Sequence, residues 1–135
     1  MENRILVIDY GEKRVGIAVS DPLGMTAQPK PFIVNDPQLF ENLKKLVEEF
    51  EIKQIYVGLP KDTRGGESKK SEEVRQFSFE LEKKLSVKIL FVDERFSTVA
   101  ATKQFDALGI KRKKQRHLID SQSAAFILQG ILDSK

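Results

Sequence analysis

Hydrophobic and polar positions follow two different periods along the chain, one typical of strands and one typical of helices. Residues 4–10 contain an uninterrupted aliphatic run, Ile5-Leu6-Val7-Ile8, as expected of a strand that is covered on both faces. A second apolar run at 14–20 follows after only a few residues, which favours an antiparallel hairpin. Prolines and a glycine then interrupt the chain and leave residues 32–34 as a short third strand.

The rest of the chain alternates helical and strand patterns. Asn35 or Asp36 is expected to cap a helix whose apolar residues run from Leu39 to Phe50, with Pro37 in its first turn. Further strands are expected at 53–58 and 87–93, a polar loop at 59–70, and helices at 71–85, 97–108 and 119–132.

This order of elements predicts an α/β fold with a mixed five-stranded sheet. The first three strands form the antiparallel side, and the last two form the parallel side, with helices on both faces. The arrangement resembles the RNase H-like fold, a likeness of element order that does not by itself define a function. We expect one domain that spans residues 1–135.

Composition narrows the possible classes of protein. With 40% hydrophobic and 32% charged residues, the chain is typical of a packed globular protein. No apolar run is long enough to span a bilayer, and no signal peptide precedes the first strand, so we expect a cytoplasmic protein without membrane contact. Because cysteine is absent and His117 is the only histidine, any metal site must use mainly oxygen ligands.

Positive charge is concentrated in one stretch. The net charge of +3 alone indicates little, but five of the seven residues from 111 to 117 are cationic and none is acidic. Such a stretch is expected to attract a polyanion. A solvated loop that keeps the protein soluble is the alternative. The five cations are Lys111, Arg112, Lys113, Lys114 and Arg116.

Two acidic positions close apolar strands. Asp9 ends the first strand, which is expected to be central, and a carboxylate there needs a hydrogen bond, an ion pair or a cation to offset desolvation. A turn-forming aspartate ahead of Gly11 is the alternative. Asp93 and Glu94 close the strand at 87–93 and point to opposite faces, although the sequence does not tell which one faces a site. One of them could instead pair with Arg95 or cap the following helix.

Asp120 is the third acidic candidate. Helical spacing aligns it with Ala124, Ile127 and Ile131, a stripe that is expected to face the sheet. An aspartate in the first turn of a helix could instead complement the helix dipole.

If these acids converge at one end of the sheet, their charges repel one another. A hard divalent cation such as Mg²⁺ or Mn²⁺ relieves that repulsion, because it prefers ligation by oxygen. Two such ions can bind a scissile phosphate and lower the pKa of an attacking water. The acids therefore favour a metal-dependent phosphodiesterase.

Four short motifs then identify a resemblance. They are D-Y-G-E-K-R-V-G at 9–16, G-L-P at 58–60, D-E-R-F-S-T at 93–98 and D-S-Q-S-A at 120–124. In this order and spacing the chain resembles the YqgF proteins over nearly its whole length. These are bacterial RNase H-like proteins described as Holliday junction resolvases and as nucleases for the 5′ end of pre-16S ribosomal RNA.

The resemblance implies a Mg²⁺- or Mn²⁺-dependent endonuclease with Asp9, Glu94 and Asp120 as catalytic, metal-binding acids. It prefers Glu94 over Asp93. A ribosomal RNA precursor is the first expected substrate, and a four-way DNA junction is the second. Resolvases usually act as symmetric dimers, but no dimer surface is evident in the sequence, so both a monomer and a homodimer stay open.

Several basic residues are candidates for contact with nucleic acid. Gly11 and Gly16 permit a phosphate to approach the first hairpin, and Lys13 and Arg14 would neutralise it, although a tight turn with surface charges is the alternative. The candidates are Lys13, Arg14, Arg64, Arg95, Lys111, Arg112, Lys113, Lys114 and Arg116. The nine phenylalanines are expected to be core residues and show no pattern for stacking bases.

Two other classes of function stay open at this point. The chain could be a nucleic-acid-binding or ribosome-assembly module that does not cut, in which case binding would survive chelation and the loss of Asp9. The segment 9–11 could instead be the phosphate loop of an actin-like ATPase. With 135 residues, however, the chain is short for the two domains that close over ATP in such enzymes.

Overall fold

The computed structural model describes residues 4–60, 69–93, 102–103 and 105–134, except for the side chains of 117–122. Residues 102–103 and 105–107 are helical, and the remainder of the helix expected at 97–108 lies outside the described residues. The main elements in this part of the chain are β1 (Arg4–Asp9), β2 (Arg14–Ser20), β3 (Ala27–Val34), α1 (Leu39–Glu49), β4 (Ile52–Leu59), α2 (Lys69–Leu85), β5 (Lys88–Asp93) and α3 (Arg112–Asp133).

The strands form one mixed sheet in the order β3-β2-β1-β4-β5. β1 pairs with β2 and β2 with β3 in antiparallel fashion, whereas β1 with β4 and β4 with β5 are parallel. The sequence prediction of an antiparallel and a parallel side is confirmed. β1 lies in the middle of the sheet, which is why its aliphatic residues Leu6, Val7 and Ile8 are fully buried.

Each face of the sheet packs against a different set of helices. On one face, Leu6 and Ile8 of β1 pack into a core with residues of α1 and α2. On the other face, Ile5 and Val7 pack against residues of α3. Because side chains alternate along a strand, Asp9 continues the Ile5 and Val7 side and lies on the α3 face.

The third strand is longer than the sequence analysis predicts. β3 begins at Ala27 and includes Pro29 and Pro31, which the prediction treats as chain breakers. The strand is at the edge of the sheet, where a residue without an N–H group costs no ladder hydrogen bond on the solvent side. The expectation of a strand restricted to 32–34 is therefore wrong.

The last helix begins seven residues earlier than predicted. The basic stretch is not a loop but forms the first turns of α3, which starts at Arg112. Lysine, arginine and glutamine are strong helix formers, so charge alone does not indicate a loop. Gln115 is 2% exposed and donates through Nε2 to the Ile110 carbonyl at 2.6 Å and to Asp106 at 2.7 Å, which fixes this first segment.

Smaller differences concern helix ends. α1 begins at Leu39 rather than directly after Asp36, although the Asp36 carboxylate accepts a hydrogen bond from the Gln38 N–H at 2.9 Å. Gly109 has φ +75°, in agreement with the prediction that it ends a helix. In the predicted loop at 59–70, Leu59 ends β4 and Lys69 begins α2, while residues 61–68 lie outside the described part.

Candidate active site

Asp9 lies at the carboxyl end of the central strand, on the face that α3 covers. It pairs across the ladder with Gly16 of β2. Its Oδ2 accepts a hydrogen bond from the Ser123 hydroxyl of α3. The carboxylate is half-buried and thus combines a fixed position with access from solvent. The turn-forming alternative finds no support in this contact, because the bond links strand to helix.

The absence of a side chain at Gly16 makes room for this contact. A Cβ built at Gly16 would lie 3.3 Å from the Asp9 Cβ, 3.6 Å from the Phe32 ring and 3.8 Å from the Ala124 Cβ. β1, β3 and α3 therefore meet at this point. Glycine lets the three elements approach more closely than any other residue would.

Asp93 lies on the opposite face of the sheet from Asp9. Ile89 of β5 packs into the core of α1 and α2, whereas Val92 packs into the core of α3. Alternation places Asp93 with Ile89 and Phe91, and the Arg75 guanidinium of α2 lies 4.9 Å from the Phe91 ring centre. Of the two adjacent acids, Asp93 therefore does not share the face of the sheet that carries Asp9. Glu94 lies outside the described residues.

The helical stripe predicted for Asp120 is present in the structure. Ala124, Ile127 and Ile131 are 4%, 2% and 9% exposed and pack against the sheet. Because α3 begins at Arg112, position 120 is in the third turn, so the helix dipole no longer explains an aspartate there. The side chain of Asp120 itself lies outside the described set.

Ser123 is a site residue that the sequence analysis missed. It is three residues after Asp120 on the same helix, a spacing that brings two side chains to one face. This spacing could have identified Ser123 from the sequence, since it places Ser123 next to Asp120 on the helix surface. Its bond to Asp9 fixes α3 relative to the end of β1.

The predicted ligands Asp9, Glu94 and Asp120 are residue types that would supply the carboxylate oxygens a hard cation prefers. Among the described side chains, no group of three acids or histidines is placed to hold a metal ion. Of the three predicted ligands, Asp9 is the one whose side chain is described. Its half-exposed carboxylate at a strand end fits a Mg²⁺ or Mn²⁺ ligand in type and position.

The first hairpin and the start of α2 form the walls of a groove of about 570 Å³. Both walls are fixed by hydrogen bonds. Asn35 donates from Nδ2 to the Gly11 carbonyl at 2.7 Å and from its backbone N–H to the Lys13 carbonyl at 2.9 Å. The Ser71 hydroxyl donates to the Pro60 carbonyl. The groove is lined by Tyr10, Glu12, Lys13, Arg14, Lys69, Lys70 and Glu73.

The cations of the basic stretch are exposed at the start of α3. Arg112 forms an ion pair with Asp106, with its Nη2 2.8 Å from Oδ2 and its Nε 3.2 Å from Oδ1. Hydrogen bonds from Gln115 and Arg112 lower the pKa of Asp106 from its usual value of 3.8. The other candidates of the stretch, Lys111, Lys113, Lys114 and Arg116, extend into solvent. Arg64 and Arg95 lie outside the described residues.

A second cavity, of about 650 Å³, lies between α1 and α2 on the face away from Asp9. Phe40 and Phe77 contribute stacked rings 5.7 Å apart. Four carboxylates line this cavity against one lysine, so it does not suit a polyanion. The acids are Asp36, Glu72, Glu73 and Glu80.

Comparisons with known proteins agree with this architecture. The structure of Thermus thermophilus RuvC in complex with a Holliday junction substrate superposes with a TM-score of 0.58 at 15% identity, over 98% of this chain and 95% of that one. The shared architecture is the RNase H-like fold. The RuvX family, also called YqgF and described as Holliday junction resolvase, matches residues 3–134. The chain belongs to this family.

Curated relatives cover almost the whole chain. A protein of a Sulfurihydrogenibium species is 42% identical over 133 residues, which are 97% of this chain and 90% of the relative. One from Acetivibrio thermocellus is 40% identical over 136 residues, at 98% and 96% coverage. Both carry the name "Putative pre-16S rRNA nuclease". No helix in the described part of the chain has the length and apolar character needed to cross a bilayer.

Proposed function

We propose that this chain is an endonuclease that hydrolyses phosphodiester bonds in structured nucleic acid, and that its substrate is the 5′ end of pre-16S ribosomal RNA. The observation that carries the proposal is the position of Asp9, at the end of the central strand and bonded to Ser123 of α3. The names of relatives that are about 40% identical support the choice of RNA.

Asp9, Glu94 and Asp120 are the proposed catalytic acids and ligands of Mg²⁺ or Mn²⁺. Two findings support this set. Val92 faces α3, so the alternation that places Asp93 on the far side favours Glu94 for the near side. By helical spacing, Asp120 is aligned with the buried residues Ala124 and Ile127, and it lies about one turn before Ser123 on α3. A bound divalent ion would lower the pKa of a water and stabilise charge on the leaving oxygen.

Nucleic acid is the proposed partner of the groove beside the first hairpin. Lys13, Arg14, Lys69 and Lys70 line it against two carboxylates, and its walls are fixed, so phosphates would meet cations in set positions. Arg64, Arg95 and the cations at the start of α3 complete the proposed contacts. The protein is proposed to act in the cytoplasm, as a monomer or a homodimer.

Asp9→Asn is the decisive test of catalysis. Wild type and variant are incubated in Mg²⁺ with a pre-16S RNA leader and with a four-way DNA junction. We expect a loss of cleavage greater than about 100-fold, since even residues that only support metal ligands cost 10- to 100-fold. Asp133→Asn, at the far end of the same helix, is the matched control and should cleave normally.

The same experiment separates the rival functions. Preference for the DNA junction over the RNA leader would favour the resolvase function that the family description names. Steep salt-dependent binding without cleavage, unchanged by chelation and by Asp9→Asn, would instead identify a binding module and overturn the nuclease proposal.

The salt dependence of binding tests whether nucleic acid contacts the groove. Removing both charges in Lys69→Gln/Lys70→Gln should lower the slope of log affinity against log salt by about 1.4 for a single strand, if each lysine neutralises one phosphate. The control is Lys44→Gln/Lys45→Gln, two adjacent exposed lysines on α1. An equal effect of both double variants would mean that only net charge matters.

A further inference from the structure

Phe32 is an exposed aromatic residue beside the proposed catalytic acid. It is 44% exposed, in contrast to the sequence expectation that phenylalanines serve the core. Its ring and the Asp9 Cβ both lie within 4 Å of the position that a Gly16 Cβ would occupy. Ser123, the hydrogen-bond partner of Asp9, lines a small cleft together with Phe32 and Gly16.

An irregularity in β3 directs Phe32 to this face. Val15 of β2 pairs with Ile33, but Ile17 pairs with Lys30, so β3 has one more residue than β2 over this interval. Ile33 packs into the core of α1 and α2. Counted from Lys30, regular alternation would place Phe32 on the same face as Lys30 and Ile17. The extra residue instead places Phe32 on the face of Gly16 and α3. Bulges of this kind occur beside active sites, where they redirect a side chain.

Arg14 places a positive charge beside the exposed Phe32 ring. Its guanidinium lies 5.1 Å from the centre of the Phe32 ring, and its side chain is exposed. A flat apolar surface joined to a cation offers the two features that a nucleotide needs, a face for the base and a partner for the phosphate. An exposed phenylalanine also occurs on α2, where Lys83 lies 4.3 Å from the Phe79 ring centre, but α2 packs on the face of the sheet opposite to that of Asp9.

We propose that Phe32 is a stacking platform for one unpaired base next to the scissile phosphate, with Arg14 bound to the adjoining phosphate. The inference rests on the proposed nuclease function, and it adds a property of the substrate. A base within a duplex is already stacked on both faces, so only a single-stranded or displaced nucleotide can lie on Phe32. The site would therefore select a strand that is unpaired at the cut.

Binding by the Asp9→Asn protein isolates this step from cleavage. The probe is a short single-stranded oligoribonucleotide with one fluorescent 2-aminopurine, moved along the strand. Phe32→Leu should weaken binding about 5- to 150-fold, the range for one base stacked on an aromatic side chain. Phe32→Trp should preserve binding, since it retains an aromatic face, and Phe79→Leu is the matched control that should bind normally.

Two further readouts distinguish stacking from a general structural effect. Quenching of 2-aminopurine should occur at one position of the strand and disappear in Phe32→Leu. The slope of log affinity against log salt should stay constant in Phe32→Leu but fall by about 0.7 in Arg14→Gln, because only arginine neutralises a phosphate. If Phe32→Leu does not fold, quenching at a single position in the Phe32 protein and its retention in Phe32→Trp still test the platform.

The outcomes separate this inference from the proposed function. Equal binding by Phe32→Leu and Phe79→Leu, or quenching at no single position, would overturn the platform even if Asp9→Asn abolishes cleavage. Normal cleavage by Asp9→Asn would overturn the proposed nuclease site, while position-specific quenching that depends on Phe32 would leave the platform in place.

Discussion

Replacing Gly16 with alanine inserts a methyl group where β1, β3 and α3 meet. The new carbon would be 3.3 Å from the Asp9 Cβ, tighter than nine in ten such contacts, and 3.6 Å from the Phe32 ring. One of the neighbours must move by a few tenths of an ångström. Excess volume of this size in a packed region costs about 1–3 kcal/mol. We expect Gly16→Ala to lower the free energy of unfolding by that amount in urea denaturation.

The same substitution should reduce cleavage more than its effect on stability accounts for. A displaced Asp9 would disturb the proposed ligand geometry, and an error of about 1 Å can cost 100-fold in rate. A shift of a few tenths of an ångström should therefore cost roughly tenfold. Single-turnover cleavage under conditions where both proteins are folded measures this loss.

Gly24→Ala is the control for Gly16→Ala. Gly24 has φ +71° and nothing within 4 Å of an added Cβ. Alanine there would strain the backbone but would not contact a neighbouring atom. It should lose about 1–2 kcal/mol of stability and retain full cleavage. The reasoning about the Gly16 contact would be refuted if Gly16→Ala unfolded at the same urea concentration as wild type, or if both variants lost cleavage equally.

Three other expectations concern stability. Leu128→Ala should cost about 2–5 kcal/mol in chemical denaturation, because Leu128 is fully buried between α3 and the sheet. Gly130→Ala, at an exposed position inside α3, should add up to about 1 kcal/mol by the same assay. The pKa of Asp106 is lower in the folded protein than its usual value of 3.8, so the ionised carboxylate stabilises the fold at pH values above 3.8. This contribution is lost as the pH falls through the folded-state pKa. Asp106→Asn should therefore flatten the acid side of the curve of stability against pH.

Periodicity was sufficient to predict the central elements of the fold. The aliphatic run of β1 predicts a buried strand, and the spacing of Leu39 and Leu43 predicts an amphipathic helix, because the two elements leave different patterns in the sequence. The edge strand was harder. Pro29 and Pro31 exclude a central strand but not an edge strand, and position within a sheet is a tertiary property that local sequence does not contain.

The candidate site could be predicted in part. Asp9 was recognisable because a carboxylate after a buried strand needs a partner, but the identity of that partner depends on how α3 lies across the sheet. The choice between Asp93 and Glu94 required the knowledge that Val92 packs against α3. The face of the sheet on which Phe32 lies depends on a one-residue irregularity in strand pairing, which has no signal in composition or periodicity.

The early start of α3 places the basic stretch and the hydrogen-bond partner of Asp9 on one rigid element. Arg116, in the basic stretch, and Ser123, which contacts Asp9, belong to one uninterrupted helix and are seven residues apart. Two helical turns separate them by about 10 Å on the same side. If Arg116 binds a phosphate as proposed, that phosphate would be held at a fixed distance from Asp9, and this distance would not depend on base sequence.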